Sequence, residues 1–253
     1  MDCKVDAFKH KVKHSFDKGA LTYDLHAQVQ KKMLNELIFF FCEQLKKGSK
    51  KDYSMLDLGC GTGESTKRIL KKICLKRAHL IDISSKMIEL SKTKLGTQNK
   101  IFDVNDFDFF DNFEDYNLII SNMAMHWSFD IYKLFRKILD SVNKNSLILI
   151  SFPNSSSFNY LKEQHANLMN YFPNTEELIK LVDKRFFFRQ KEIIHSKTFK
   201  NAIEFFKSIK MIGANVSNVD IQMRKELLSL RKDKKRISIN FNISCFFLKK
   251  IRD

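Results

Sequence analysis

Seven consecutive residues, Asp57-Leu-Gly-Cys-Gly-Thr-Gly63, hold the chemistry most readily read from this chain. They follow a short apolar run, Tyr53 to Leu58, and open a helical pattern that continues through Ile73. Glycines at 59, 61 and 63 let the backbone turn tightly and approach a ligand closely. The helix start that follows offers free N–H groups at a positive dipole end. A loop built for pyrophosphate spaces its glycines G-x-G-x-x-G. Here the spacing is G-x-G-x-G, led by an acid. That arrangement suits an amino-acid-bearing nucleoside, whose carboxylate meets the backbone amides while Asp57 faces its ammonium. S-Adenosylmethionine (SAM) is such a ligand.

Three further elements recur at the ends of later apolar runs. Asp82 lies 25 positions after Asp57, in the run His79 to Ile83, where a carboxylate can accept both ribose hydroxyls, with Ile83 and Met87 flanking the adenine. Asp106-Phe107 follows the run Lys100 to Val104 and can accept the adenine amino group. Ser121-Asn122 closes the run Tyr116 to Ser121 and puts Asn122 where the methyl group should lie. Cys60, inside the glycine loop, reads as a small packing residue of the cofactor site, since no base is placed beside it to activate a thiolate. Taken singly, Asp57 and Asp82 could be strand-end caps. Four such elements in succession mark the carboxyl edge at which open α/β sheets bind ligands.

The elements that must position these residues follow the same alternation. Val5, Phe8, Val12 and Phe16 predict a short amphipathic helix over residues 4–18, and Leu25 to Phe41 a longer one, with Gly48 as a stop signal. Ser84 can cap a helix carrying Met87, Ile88 and Leu90. Ile131, Leu134, Phe135, Ile138 and Leu139 form one stripe over 129–142, and Ser146 to Phe152 is a fifth strand. A helical insertion is expected between Pro153 and Pro173, then a short helix over Glu176 to Val182. Strands at Phe186 to Ile194 and Ile237 to Leu248 flank a helix at Ala202 to Met211, and residues 222–236 are charged and helical or mobile. The predicted fold is α/β and Rossmann-like: a seven-stranded, mostly parallel sheet with helices on both faces, an N-terminal helical lid and a helical insertion after strand five. One domain is expected over 1–253, with the lid at 1–47, the cofactor-binding core at 48–152 and the acceptor side at 153–253.

The 253 residues are 43% hydrophobic, enough for a large core, with 7 Gly and 2 Pro leaving no visible linker. Five cysteines without CxxC spacing, no signal-like apolar core and no run near the ~20 residues of a spanning helix predict a reduced, cytoplasmic protein without membrane association. The net charge is +16 and uneven: Asp183 to the C-terminus has 18 Lys+Arg against 7 Asp+Glu. Such an excess fits an acidic partner, and equally fits the Lys-, Ile-, Asn- and Phe-rich usage of an AT-biased genome. His10 and His14 are spaced i,i+4 but have no evident third ligand, so no metal is expected. Ser155-Ser-Ser157 lacks a hydrolase elbow and reads as a helix cap.

Blocks outside the cofactor motif resemble the malonyl-carrier-protein O-methyltransferases of biotin synthesis. They are Phe16-Asp-Lys-Gly-Ala20, Tyr23-Asp-Leu-His-Ala27 and Gln30 before strand one, and Ser121-Asn-Met-Ala-Met-His-Trp127 after strand four. Further along come Tyr171-Phe-Pro-Asn-Thr-Glu176, Ser208-Ile-Lys-Met-Ile-Gly-Ala214 and a final strand ending Leu248-Lys-Lys-Ile-Arg252. The resemblance implies that the N-terminal helices lie over the cofactor, with Tyr23 and Gln30 closing on it, and that Tyr23, His126 and Trp127 line the acceptor pocket. It implies methylation of the free carboxylate of a malonyl thioester on an acidic acyl carrier protein, giving the ester that starts pimeloyl and biotin synthesis. Relatives often have Gln where His126 stands, so His126 is not expected to be a catalytic base. Ile237 and Phe241 stand where the family usually has tyrosines, Asn145-Ser146 where a Gly is expected, and Tyr116-Asn117 where Phe-Asp is usual.

The implied chemistry needs no side-chain acid or base. A malonyl carboxylate is ionised at neutral pH and can attack the sulfonium methyl directly, so catalysis is by proximity, orientation and exclusion of water. Arg185, Arg189, Lys207 and Lys210 are the expected carrier-docking residues. One rival is a nucleic-acid methyltransferase, but Asn122-Met-Ala-Met replaces the Asn/Asp-Pro-Pro-aromatic of exocyclic-amine enzymes, and there is no Pro-Cys. The other rival is a related respiratory-complex assembly factor sharing the Tyr-Asp and Gln signature.

Overall fold

In a computed structural model, residues 3–45, 52–165, 170–216 and 235–252 are described. Seven strands form one sheet: β1 (Tyr53–Leu58), β2 (Leu75–Asp82), β3 (Lys100–Val104), β4 (Leu118–Asn122), β5 (Leu147–Pro153), β6 (Phe186–Phe199) and β7 (Ile237–Lys250). Their order is β3-β2-β1-β4-β5-β7-β6. β1 to β5 pair in parallel, and β7 runs antiparallel to both β5 and β6. The order reverses between β1 and β4, which sets the ligand crevice at their carboxyl ends.

The sheet is buried on both faces because its strands are apolar at successive positions. Met55, Leu80, Leu118, Leu149 and Phe247 point to one side, against α2 (Gln28–Gln44), α3 (Glu64–Leu70) and α4 (Ser85–Leu95). Leu56, Ile81, Ile119, Ile148 and Phe246 point to the other, against α5 (Ile131–Ser141) and a phenylalanine cluster of Phe107, Phe110 and Phe113. Ser84 caps α4 by accepting from the Met87 N–H, and Asp130 caps α5 through the Tyr132 and Lys133 N–H groups.

The N-terminal region divides later than its apolar pattern suggests. α1 runs without interruption from Cys3 to His26, and the break falls at Ala27, whose ψ of 48° leaves the helical range before α2 begins. Neither Gly nor Pro marks this corner. α2 buries Met33, Leu34, Leu37, Phe40 and Phe41 on the sheet, while its first turn meets Asn122 at the carboxyl end of β4 through the Gln30 carbonyl. Gly48 and residues 222–234 lie outside the described residues.

β6 and β7 pair over 14 residues each, and β7 passes six residues beyond the end of β5. This overhang, with α6 (Asn159–His165), α8 (Ala202–Met211) and the segment around Phe172, forms a third core around Phe158, Phe205, Ile237 and Ile239. α7 (Thr175–Ile179) returns the chain to β6. Ile237, which stands in a usual tyrosine position, is 3% exposed in that core; an unpaired hydroxyl there would be costly to bury.

Candidate active site

Each glycine of the loop has a backbone reason to be glycine. Gly59, Gly61 and Gly63 have φ of 68°, 53° and 79°, the left-handed region that side chains disfavour. A Cβ on Gly59 would also collide with that of Ala124, the residue two positions past β4. Asp57, fully buried at the end of β1, accepts from the Thr66 hydroxyl at 2.8 Å, while its Oδ1 has no partner. Burial pushes its carboxyl up to about 7, helped by the charge of Asp82 and opposed by Thr66.

Asp82 accepts from the Gly61 N–H at 2.8 Å and the Ser84 N–H at 2.9 Å, so its carboxylate ties the first loop to the second. Burial raises it to about 6, those two N–H bonds pull it back, and Asp17 pushes it up again. Asp106 begins the turn after β3, accepting from the Asp108 N–H, and its Oδ2 is buried without a partner. Asn122 donates from Nδ2 to the Gln30 carbonyl at 3.0 Å and accepts from the Ser151 hydroxyl at 2.9 Å. Gln30 therefore reaches β4 through its backbone.

Val12, Phe16, Tyr23, Gly59, Gly61, Asp82, Ile83, Met87, Phe107, Asn122 and Trp127 surround one small cavity of about 50 Å³ under α1. The structure thus brings together most of the sequence-predicted cofactor residues. Cys60 and Gly63 lie behind it: Cys60 is buried, its thiol pushed well above the usual range, and Gly63 packs on Leu95. The residues present suit SAM by their chemistry. Asp57 and Asp106 do not line the cavity themselves, but each has one buried carboxylate oxygen without a partner, able to accept from an ammonium or an exocyclic amine. Burial and the neighbouring Asp82 hold the Tyr23 phenol far above its ordinary range, so it remains a neutral hydroxyl.

A second cavity, about 500 Å³, adjoins the first and shares Phe16, Tyr23, Met123 and Trp127 with it. Aromatic side chains, including Phe158, Phe172, Phe199 and Phe205, line part of its wall. His126 lines it, tilted between the rings of Trp127 and Phe172 at 5.1 and 6.0 Å; burial lowers its imidazole to about 3, so it stays neutral. Phe241, the second tyrosine replacement, lines it too. Among the described residues, its lysines are Lys197, Lys207 and Lys210, and no carboxylate lines it.

The four expected docking residues separate. Lys207 and Lys210 lie on α8 at this cavity. Arg185 and Arg189 are not brought to it: Arg185 pairs with Asp183 and Asp140 just before β6, and Arg189 pairs with Glu43 and stacks on Phe40 of α2. His195, the first residue of β6 to line the cavity, is ten positions past Arg185, which is about 33 Å at ~3.3 Å per residue. His10 and His14 stack at 6.5 Å, and no group of metal-ligating side chains occurs among the described residues.

The polar contacts of α1 have little local signal in the sequence. Lys9 meets Asp106 and Asp108, Asp17 meets Ser84, and Asp24 meets Thr62 and Lys94. Asp17 and Asp24 sit inside the Phe16 and Tyr23 blocks, which was the available signal. Lys9 had none.

Fold and site together define a Rossmann-like methyltransferase, and residues 49–207 match a family model described as a methyltransferase domain. The chain is 32% identical to malonyl-[acyl-carrier protein] O-methyltransferase 1 of Ilyobacter polytropus, over 96% of both chains. It is 27% identical to the corresponding protein of Acetivibrio thermocellus, over 92% of this chain and 90% of the relative. The chain belongs to the malonyl-[acyl-carrier protein] O-methyltransferase family. In fold it is similar to the YcgJ protein of Bacillus subtilis (13% identity, TM-score 0.63, covering 88% of this chain and 100% of that one). It is also similar to the plantazolicin methyltransferase BpumL, solved with SAH (17% identity, TM-score 0.55, 98% of both).

Proposed function

We propose that this protein transfers the methyl group of SAM to the free carboxylate of a malonyl thioester borne by an acidic acyl carrier protein, in the cytoplasm. The observation that carries this reading is the larger cavity: it meets the cofactor pocket at the end of β4, and its charged lining among the described residues is wholly cationic. Such a lining attracts an anionic acceptor and leaves it ionised. Family membership supplies the identity of the acyl group. Cysteines 42, 60, 74 and 245 are free thiols, in keeping with a reducing compartment, and no described helix is long and apolar enough to cross a membrane.

SAM, when bound, supplies an electrophilic methyl on a sulfonium. The chain's own residues then do three things. Asp57, Asp82 and Asp106 hold the ammonium, ribose and adenine. Tyr23, Phe16 and Trp127, shared by both cavities, form the wall at which acceptor and methyl meet and from which water is displaced. Lys207 and Lys210 guide the anionic acceptor inward. His126, neutral across the physiological range, shapes the pocket and takes no proton. The test is a SAM-transfer assay on malonyl-carrier-protein, malonyl-CoA and tRNA. Methylation of the malonyl thioesters is expected, and activity on tRNA alone would replace this reading by the nucleic-acid one.

A further inference from the structure

Three polar groups of α1 fall on one side of that helix at two-turn intervals: Lys9, Asp17 and Asp24. Each fastens a different loop at the carboxyl edge. The Lys9 ammonium, 9% exposed, donates to Asp106 Oδ1 at 2.9 Å and the Trp127 carbonyl at 3.1 Å. It also pairs with Asp108 at 2.6 Å; the two aspartates follow β3 and Trp127 follows β4. Asp17 accepts from the Ser84 hydroxyl at 2.6 Å and the Lys86 N–H at 3.2 Å, at the helix start after β2. Asp24 accepts from the Thr62 hydroxyl at 2.7 Å in the glycine loop after β1, and from Lys94 at 2.7 Å. The helix thus passes the loops after β3, β2 and β1 in turn and is tied at each, with Lys9 reaching the turn after β4 as well.

Between these ties α1 turns Val12, Phe16 and Tyr23 onto the cofactor cavity. α1 forms one wall of that cavity, so movement of α1 away from the loops opens it and breaks the ties. We infer that Lys9, Asp17 and Asp24 are positioning residues that fasten α1 over the cofactor and set how fast it is released. They act through Asp106, Ser84 and Thr62 rather than by touching the reacting atoms. Because Phe16 and Tyr23 also wall the acceptor cavity, the same ties hold the acceptor's wall in place while cofactor is bound.

This inference rests on SAM binding as read above, and the test separates the two. Trp127 is the single tryptophan, lies edge-on to Phe16 at 5.4 Å and lines both cavities, so its fluorescence reports movement of α1. Dissociation of S-adenosylhomocysteine is followed by stopped-flow fluorescence for the parent, Asp24→Asn, Asp17→Asn and Lys9→Met. A Glu36→Gln control breaks the Lys191–Glu36 pair of α2 and β6, a tie of similar length away from the cofactor. Each tie variant should release the ligand about fivefold faster or more, the loss of roughly 1 kcal/mol of holding energy, and Asp17→Asn/Asp24→Asn faster still. The control should match the parent, and the melting temperatures of the two Asp→Asn variants should stay within a few degrees of it. Should Lys9→Met fail to fold, the two aspartate variants decide. Release at the parent rate in both, with ligand still bound, overturns the inference and leaves the proposed function standing. Equal acceleration in Glu36→Gln overturns it as well. Absence of ligand binding by the folded parent overturns both.

Discussion

Replacing Asp82 by Asn tests the cofactor assignment with a magnitude that follows from the structure. The carboxylate is 8% exposed and already accepts two backbone N–H groups, so its orientation is fixed before any ligand arrives. Charge-assisted hydrogen bonds from two ribose hydroxyls are worth about 1.5–3 kcal/mol, which is roughly a tenfold to 150-fold loss of affinity at pH 8. Burial also sets the pH dependence. Ligand-free Asp82 titrates at about 6 and Asp57 at about 7, and both must be ionised to serve the ribose and the ammonium. Binding therefore weakens as pH falls through this window: Asp82 alone costs about tenfold at pH 5, and Asp57 adds to it. The proton balance has the reverse sign in the free protein, where a raised carboxyl contributes stability at low pH that is lost as pH rises through 6 to 7. Titration calorimetry of SAM between pH 5 and 8, in buffers of different ionisation enthalpy, should show between one and two protons released near pH 6. In Asp82→Asn affinity should fall, and the remaining pH dependence should move to lower pH, because the charge that raises Asp57 is gone. Affinity independent of pH in the parent, or undiminished in the folded variant, would mean that Asp82 does not hold the ribose.

Three further outcomes are expected. Gly213→Ala, at φ 72° with a new Cβ 2.8 Å from Phe16 Cα and the Ser15 carbonyl, should lower stability by about 1–3 kcal/mol and weaken SAM binding, measured by thermal melts and calorimetry. Lys207→Glu/Lys210→Glu should raise KM for malonyl-carrier-protein and flatten its salt dependence, while Arg185→Glu/Arg189→Glu, far from the cavity, should change KM much less; equal effects would contradict the placement of docking at α8. His126→Gln should leave the shape of the pH–rate profile unchanged between pH 5.5 and 8, because burial holds the imidazole neutral well above its value of about 3; loss of a limb near pH 6 to 7 would contradict this.

The sheet and its carboxyl edge were legible because buried parallel strands read as unbroken apolar runs, and each ended in a residue with a ligand's chemistry. Asp57, Asp82, Asp106 and Asn122 stand out as candidates by position alone. What lay outside that signal was spatial. Ala27 breaks a helix with neither Gly nor Pro to mark it, so α1 and α2 could not be given their separate roles. The charged, alternating end of β6 hid a strand that continues to Phe199. That length removes Arg185 from the site while α8 brings Lys207 and Lys210 to it. Lys9 sits 97 residues from Asp106, and no local pattern relates them.

The proposed methyl acceptor is a free carboxylate. Purified protein with radiolabelled SAM and two carrier-bound thioesters, malonyl and acetyl, distinguishes it from any other acceptor. Label is expected to enter the malonyl thioester alone, as a base-labile methyl ester that mass spectrometry places on the distal carboxyl. Labelling of both thioesters, or of neither while SAM is bound, would contradict it.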